Sequence, residues 1–114
     1  MSLEKAIKLA RRNPVQGLPR MAAILQTKDG FEYYGFNSRK THPLAAKFGK
    51  NPNTLCLHAE LDAMRKALSN RDSLEDSILF VARVFKNGQP ALAKPCEGCQ
   101  RAITAFGIKE VEWT

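Results

Sequence analysis

With 114 residues, 44% of them hydrophobic and 25% charged, the chain has the bulk of one globular core, and a single domain over residues 1–114 is expected. No run approaches the roughly 18 apolar residues of a membrane span, and Met1-Ser2-Leu3-Glu4-Lys5 leads into an amphipathic pattern with no apolar signal core, so a cytoplasmic protein without a membrane partner is expected. Eighteen Lys and Arg against eleven Asp and Glu leave a net charge of +7, which suits an anionic partner such as a nucleotide or nucleic acid, or else a merely solvated basic surface.

Leu3, Ile7, Leu9 and Ala10 recur at helical spacing between Lys and Arg, which predicts a first helix over 2–12, ended by Asn13-Pro14. Arg11 and Arg12 fall in its last turn, where cations suit the helix dipole. Met21 to Leu25 and Phe31 to Phe36 read as two strands joined through Lys28-Asp29-Gly30, a hairpin signal. Residues 37–53 carry five cationic or imidazole side chains and little periodicity, so they read as a long loop of the kind that is usually functional or disordered.

Leu57, Leu61, Met64 and Leu68 share one face of a second helix, capped by Asn53 or Thr54 and closed by Ser69 to Asp72. Ile78 to Phe85 is a third strand with both faces buried, and Asn87-Gly88-Gln89-Pro90 breaks the pattern. A third helix begins after Pro95 and stops at Gly107, before a fourth strand from Ile108 to Trp113. The order α-β-β-α-β-α-β predicts an α/β domain whose mixed sheet has parallel crossovers and helices on its faces. Tyr34, Phe36, Phe80 and Phe85 are assigned to its core, Cys56 is a small buried hydrophobe, and Trp113 covers an edge or an interface.

In that layout His58-Ala59-Glu60 and Pro95-Cys96-Glu97-Gly98-Cys99 both stand near helix N-termini on one sheet, which gives them a reason to meet. Three cysteines, two of them as Cys96-x-x-Cys99, speak against a secreted disulfide framework and for metal or redox use. Taken alone, Cys96 and Cys99 fit a redox pair equally well. Joined by His58 they make a nitrogen and thiolate set suited to zinc, with three protein ligands and a fourth position open to water. Glu60, not needed as a ligand, is placed to move protons to and from that water.

The combination H-x-E with P-C-x-x-C is the signature of zinc deaminases, and from the first hairpin to Gly107-Ile108-Lys109-Glu110-Val111 the chain resembles the cytidine and deoxycytidylate deaminase superfamily, with some similarity to short phage-type members. The resemblance implies a three-layer α-β-α cytidine deaminase-like fold with about four to five strands. It also implies hydrolytic deamination, in which water activated at Zn2+ attacks the ring carbon bearing the amino group and ammonia leaves. On that likeness His58, Cys96 and Cys99 match the metal ligands and Glu60 the catalytic proton shuttle. Asn37, in Gly35-Phe36-Asn37, matches a contact to the substrate sugar, and the backbone of Ala59 a contact to the base edge. Arg39, Lys40 and His42 lie in a loop that faces the site in relatives and are candidates for a phosphate or sugar, with Lys86 and Lys94 weaker ones. Many members carry a further strand, so an uncovered edge and a homo-oligomer are expected.

The expected substrate is a free (deoxy)cytidine nucleoside or nucleotide such as dCMP. One rival keeps the chemistry on a base in single-stranded DNA or RNA, which the charge would help to bind. The other is a non-catalytic, zinc-stapled nucleic-acid module, which needs a fourth ligand from His42 or Cys56.

Overall fold

The computed structural model describes residues 2–13, 19–38 and 58–114. Helix α1 (Ser2–Arg12) ends where Asn13-Pro14 predicts, with the Asn13 N–H donating back to Ala10 O at 3.2 Å. Strands β1 (Arg20–Gln26) and β2 (Glu32–Phe36) form an antiparallel hairpin in the register Ala22 to Phe36 and Gln26 to Glu32. Helix α2 (Ala59–Leu68) leads into β3 (Ile78–Val84), and helix α3 (Glu97–Ala105) into β5 (Glu110–Trp113). Gly107 ends α3 in the left-handed region at φ +72°, which is open to glycine without a Cβ penalty.

The sheet runs β2-β1-β3, and the outer edge of β3 is shared by two strands. Strand β5 pairs with β3 in parallel, Ile78 to Glu110 through Val81 to Trp113. The two-residue strand β4 (Pro90–Ala91) pairs antiparallel with Val84 and Arg83. Asn87 to Pro90, a break in the sequence pattern, thus leads directly into a short paired strand. A proline opening an edge strand gives up no ladder hydrogen bond, which is why it can sit there.

Because successive strand residues face opposite ways, β1 feeds two cores. Ala22 and Ile24 join Phe80, Ala82 and Val84 under Ala6 and Ala10 of α1. Ala23 and Leu25 join Leu79 and Val81 under Ala63, Met64 and Ala67 of α2 and Ala102 and Ile103 of α3. This is the three-layer α-β-α architecture with a mixed sheet of five strands among the described residues. Leu61 and Met64 are buried as their spacing predicts. Phe80 is buried, whereas Phe85, assigned to the core, lies one residue past β3 and is 54% exposed, because the strand ends before its side chain can enter either layer. Trp113 is 38% exposed on the edge strand β5.

The pairing sets a polarity for the molecule. Val84 lies beside Arg20, Phe36 beside Ala22 and Trp113 beside Val81, so β2, β3 and β5 all finish at the end of the sheet where β1 begins. Helices α2 and α3 start at that same end. None of the helices is long and apolar enough to cross a membrane among the described residues.

Candidate active site

His58 is the N-cap of α2, with an extended backbone at φ −76° and ψ 151°. Its carbonyl accepts the first helical hydrogen bond, from Asp62 N at 3.0 Å, while its ring caps nothing and is left for other partners. The helix thus starts at Ala59; Asn53, Thr54 and Leu57, which the sequence reading placed at its beginning, lie outside the described residues. Cys96 repeats the arrangement as N-cap of α3, at φ −68° and ψ 169°, with Gln100 N donating to its carbonyl at 2.9 Å. The approach to Cys96 is fixed on both sides. Ala93 N donates to Thr114 O at 2.9 Å, at the end of β5, and Gln100 Nε2 donates to Pro95 O at 2.8 Å.

These two helix starts bring three ligand atoms together. His58 Nδ1 lies 3.4 Å from Cys96 Sγ and 3.4 Å from Cys99 Sγ, and all three atoms fall within 4.8 Å of one another. A zinc ion about 2.3 Å from a thiolate and about 2.05 Å from an imidazole nitrogen, at the tetrahedral angle, separates that pair by about 3.6 Å. The donor set therefore fits zinc in type and in spacing. Cys96 is exposed and Cys99 buried, so the trio opens toward one side.

The sulfurs are already polarised toward metal binding. A hydrogen bond from Cys99, then one from His58, pulls the Cys96 thiol down to about 3, so it is a thiolate at neutral pH. Bonding to Cys96 and burial push the Cys99 thiol up, and the pair holds one proton between them. The hydrogen bond to Cys96 raises His58 above its ordinary value. Both sulfurs stand in the positive field of the α3 N-terminus, which favours thiolate.

Glu60, in the first turn of α2, is 2% exposed. Its Oε1 has no hydrogen-bond partner among the described residues, and burial raises its carboxyl above the usual range. Ala59, fully buried, is the first helical residue between it and His58.

Two contacts set where α2 lies. At Gly35 of β2 a Cβ would stand 2.2 Å from Ala59 O and 2.3 Å from Ala63 N, so the helix backbone rests directly on the strand and only glycine fits. The buried Asp62 then ties helix to strand. Its Oδ2 accepts from Phe36 N at 2.9 Å, while Arg65 and Lys66 balance its charge at 2.7 and 3.1 Å. Lys66 Nζ also donates to Tyr34 O at 2.9 Å.

Asn37 follows β2 and is buried in a network rather than displayed. Its Nδ2 donates to Pro19 O at 2.6 Å, and its Oδ1 accepts from Asn13 Nδ2 at 2.7 Å and Met21 N at 3.2 Å. Arg39, Lys40, His42 and Cys56 lie outside the described residues. Asn13, Gly35 and Asp62 carry no local signal of these roles. Asn13 reads as a helix stop, and its partner Asn37 is 24 positions away.

The whole chain, residues 1–114, matches the family model of the cytidine and deoxycytidylate deaminase zinc-binding region. No curated protein sequence matches it. Among solved structures it is similar to the dCMP deaminase from the cyanophage S-TIM5 in complex with dCMP and dUMP, at TM-score 0.67 and 23% identity over 98% of this chain and 76% of that one. It is similar to the cytidine deaminase from Burkholderia pseudomallei at TM-score 0.67 and 23% identity, over 98% of this chain and 80% of that one. A deaminase/reductase from Thermotoga maritima gives TM-score 0.59 and 21% identity over 97% of this chain and 27% of that one. At these identities the likeness is one of fold. With a zinc-fitting ligand set assembled and the family model spanning every residue, the chain belongs to the cytidine and deoxycytidylate deaminases, hydrolytic enzymes with a zinc cofactor.

Proposed function

We propose that the protein hydrolyses the exocyclic amine of cytosine in a free (deoxy)cytidine nucleoside or nucleotide, with a phosphorylated form such as dCMP preferred. The observation that carries the chemistry is the buried carboxyl of Glu60, whose Oε1 has no partner among the described residues, beside a three-residue ligand set. When bound, zinc supplies Lewis acidity, which makes water a nucleophile at neutral pH. His58, Cys96 and Cys99 hold the metal. Glu60 takes one proton from the attacking water and passes it to the ring nitrogen, then moves the proton of the added hydroxyl to the amino group, so that cytosine and water become uracil and ammonia. The backbone of Ala59 borders the base, and Asn37 offers an amide N–H to a sugar oxygen. Arg39, Lys40 and His42 are assigned to the phosphate side.

The preference for a phosphate is supported by where the charge lies. At the site end of the sheet Arg20 donates, among the described residues, to the backbone carbonyls of Arg11, Phe85 and Lys86 at 2.9, 2.9 and 3.0 Å. No carboxylate is among those partners. By composition, residues 39–57 hold Arg39, Lys40, Lys47 and Lys50 and no acidic residue. At the opposite end Asp29 and Glu32 of the hairpin are paired with Arg71 and Lys5 at 2.7 and 2.6 Å, while Glu97 stands beside Cys96 in the first turn of α3. The net charge of +7 favours approach of an anionic substrate.

The test is ammonia release from cytidine, deoxycytidine, CMP, dCMP and a cytosine-containing oligonucleotide, each across a salt series. The expected result is a higher kcat/KM for dCMP than for deoxycytidine, with the advantage shrinking as salt rises. Equal kcat/KM for the two would remove the phosphate preference. Turnover of the oligonucleotide alone, with steep loss in salt, would replace the reading by one of polynucleotide deamination.

A further inference from the structure

We propose that Asn13, at the end of α1, is a positioning residue of the active site and acts through Asn37. The proposal rests on the reading above that Asn37 meets the substrate.

Both amides are buried, Asn13 at 5% and Asn37 at 8% exposure. Asn13 Nδ2 spends one hydrogen on Met21 O at 2.9 Å and the other on Asn37 Oδ1 at 2.7 Å. Asn37 Oδ1 also accepts from Met21 N at 3.2 Å, and its Nδ2 gives one hydrogen to Pro19 O at 2.6 Å. Three of the partners are backbone groups with fixed roles. Met21 O and Pro19 O can only accept, and Met21 N can only donate. Together they settle which end of each amide is oxygen, and a flip of either would set like against like at several contacts.

The consequence lies in what is left over. The oxygen of Asn37 carries two hydrogen bonds, and one N–H has no acceptor among the described residues. Held this way, Asn37 can donate to a ligand and cannot accept from one. It therefore selects a substrate atom with a lone pair, such as a sugar hydroxyl oxygen, the ring oxygen or a phosphate oxygen.

Its place in the fold carries Asn37 toward the end of α2 that bears His58. Strand β2 and helix α2 run in opposite directions, since Tyr34 O meets Lys66 and Phe36 N meets Asp62. Gly35 already lies against Ala59. Asn37, two residues further on and about 6.6 Å along an extended chain, is thus carried toward the His58 end of the helix. Asn13 reaches it from α1, in the layer across the sheet, so the far side of the molecule helps set the substrate contact.

The experiment is a double-mutant cycle on the zinc-loaded enzyme, with kcat and KM for dCMP measured for N13A, N37A and N13A/N37A, beside zinc content and Tm. N13A is expected to lower kcat/KM about fivefold to tenfold, mainly through KM, with zinc retained. N37A loses at least as much, and the double variant matches N37A within about twofold, because Asn13 has nothing left to orient. N13D, nearly isosteric but with oxygen facing Met21 O and Asn37 Oδ1, is expected to lose more than N13A. A lower Tm for N13A with unchanged KM means a merely structural role and overturns the proposal, as do losses that multiply in the double variant. N37A at wild-type kcat/KM is a separate result: it overturns the assignment of Asn37 and takes the proposal with it. If N13A does not fold at assay temperature, N13S is read in the same way.

Discussion

Glu60 is a carboxyl in a place that folding does not favour. It is 2% exposed, and one of its oxygens has no partner among the described residues, an arrangement that costs about 1–3 kcal/mol when uncompensated. Glutamine has the same shape and no charge to desolvate. Glu60→Gln is therefore expected to keep zinc and hold or raise Tm, while ammonia release falls by about 10²- to 10⁴-fold. A variant that stays fully active would refute the proton-shuttle role. The ligand trio His58, Cys96 and Cys99 was legible because each half of the pattern is local: His58 stands one residue before Glu60 with Ala59 between them, Cys96 and Cys99 are separated by two, and each half opens a helix. The orientation of Asn37 was not legible, because its partners Asn13, Pro19 and Met21 come from α1 and the start of β1, and no periodicity links those stretches.

At the level of elements, several boundaries followed from chemistry that sequence shows directly, while α2 is capped by His58 rather than Asn53 or Thr54 and β5 begins at Glu110 rather than Ile108. Asn13-Pro14 stopped α1, Gly107 stopped α3, and short continuous apolar runs marked β1 and β3. Strand β4 was missed because two residues carry no period. Its existence depends on pairing with Arg83 and Val84 across a turn. The close approach of α2 to β2 was equally silent, since Gly35 among aromatics reads only as a weak strand residue. Gly35→Ala tests it. The new methyl would meet Ala59 O and Ala63 N, both backbone, so the helix must lift and carry His58 and Glu60 with it. The expected cost is about 1–3 kcal/mol or more in thermal unfolding, with weakened zinc retention. A variant with native Tm and full zinc would show that α2 can shift freely on the strand.

Across the whole molecule, the net charge of +7 was visible in composition, but its arrangement was not. Only the sheet pairing shows that the strands finishing at the zinc end are flanked by Arg11, Arg20 and Lys86, while Asp29 and Glu32 of the hairpin, paired with Arg71 and Lys5, lie at the other end. The parallel pairing of β5 with β3 also bears on the order in which the chain assembles. The β1–β2 hairpin closes over a short loop, whereas β5 reaches β3 only after the chain has crossed through α3. Long-range parallel pairing closes slowly, because the loop entropy is lost before the contacts form. Cys96 and Cys99 ride on that crossover, so His58 waits for them, and metal capture reports the last stage of folding rather than the first. Refolding followed by stopped-flow fluorescence with and without zinc should therefore share its fast phases and differ only in the slowest. A zinc-dependent fast phase would mean that the ion nucleates the fold instead of sealing it.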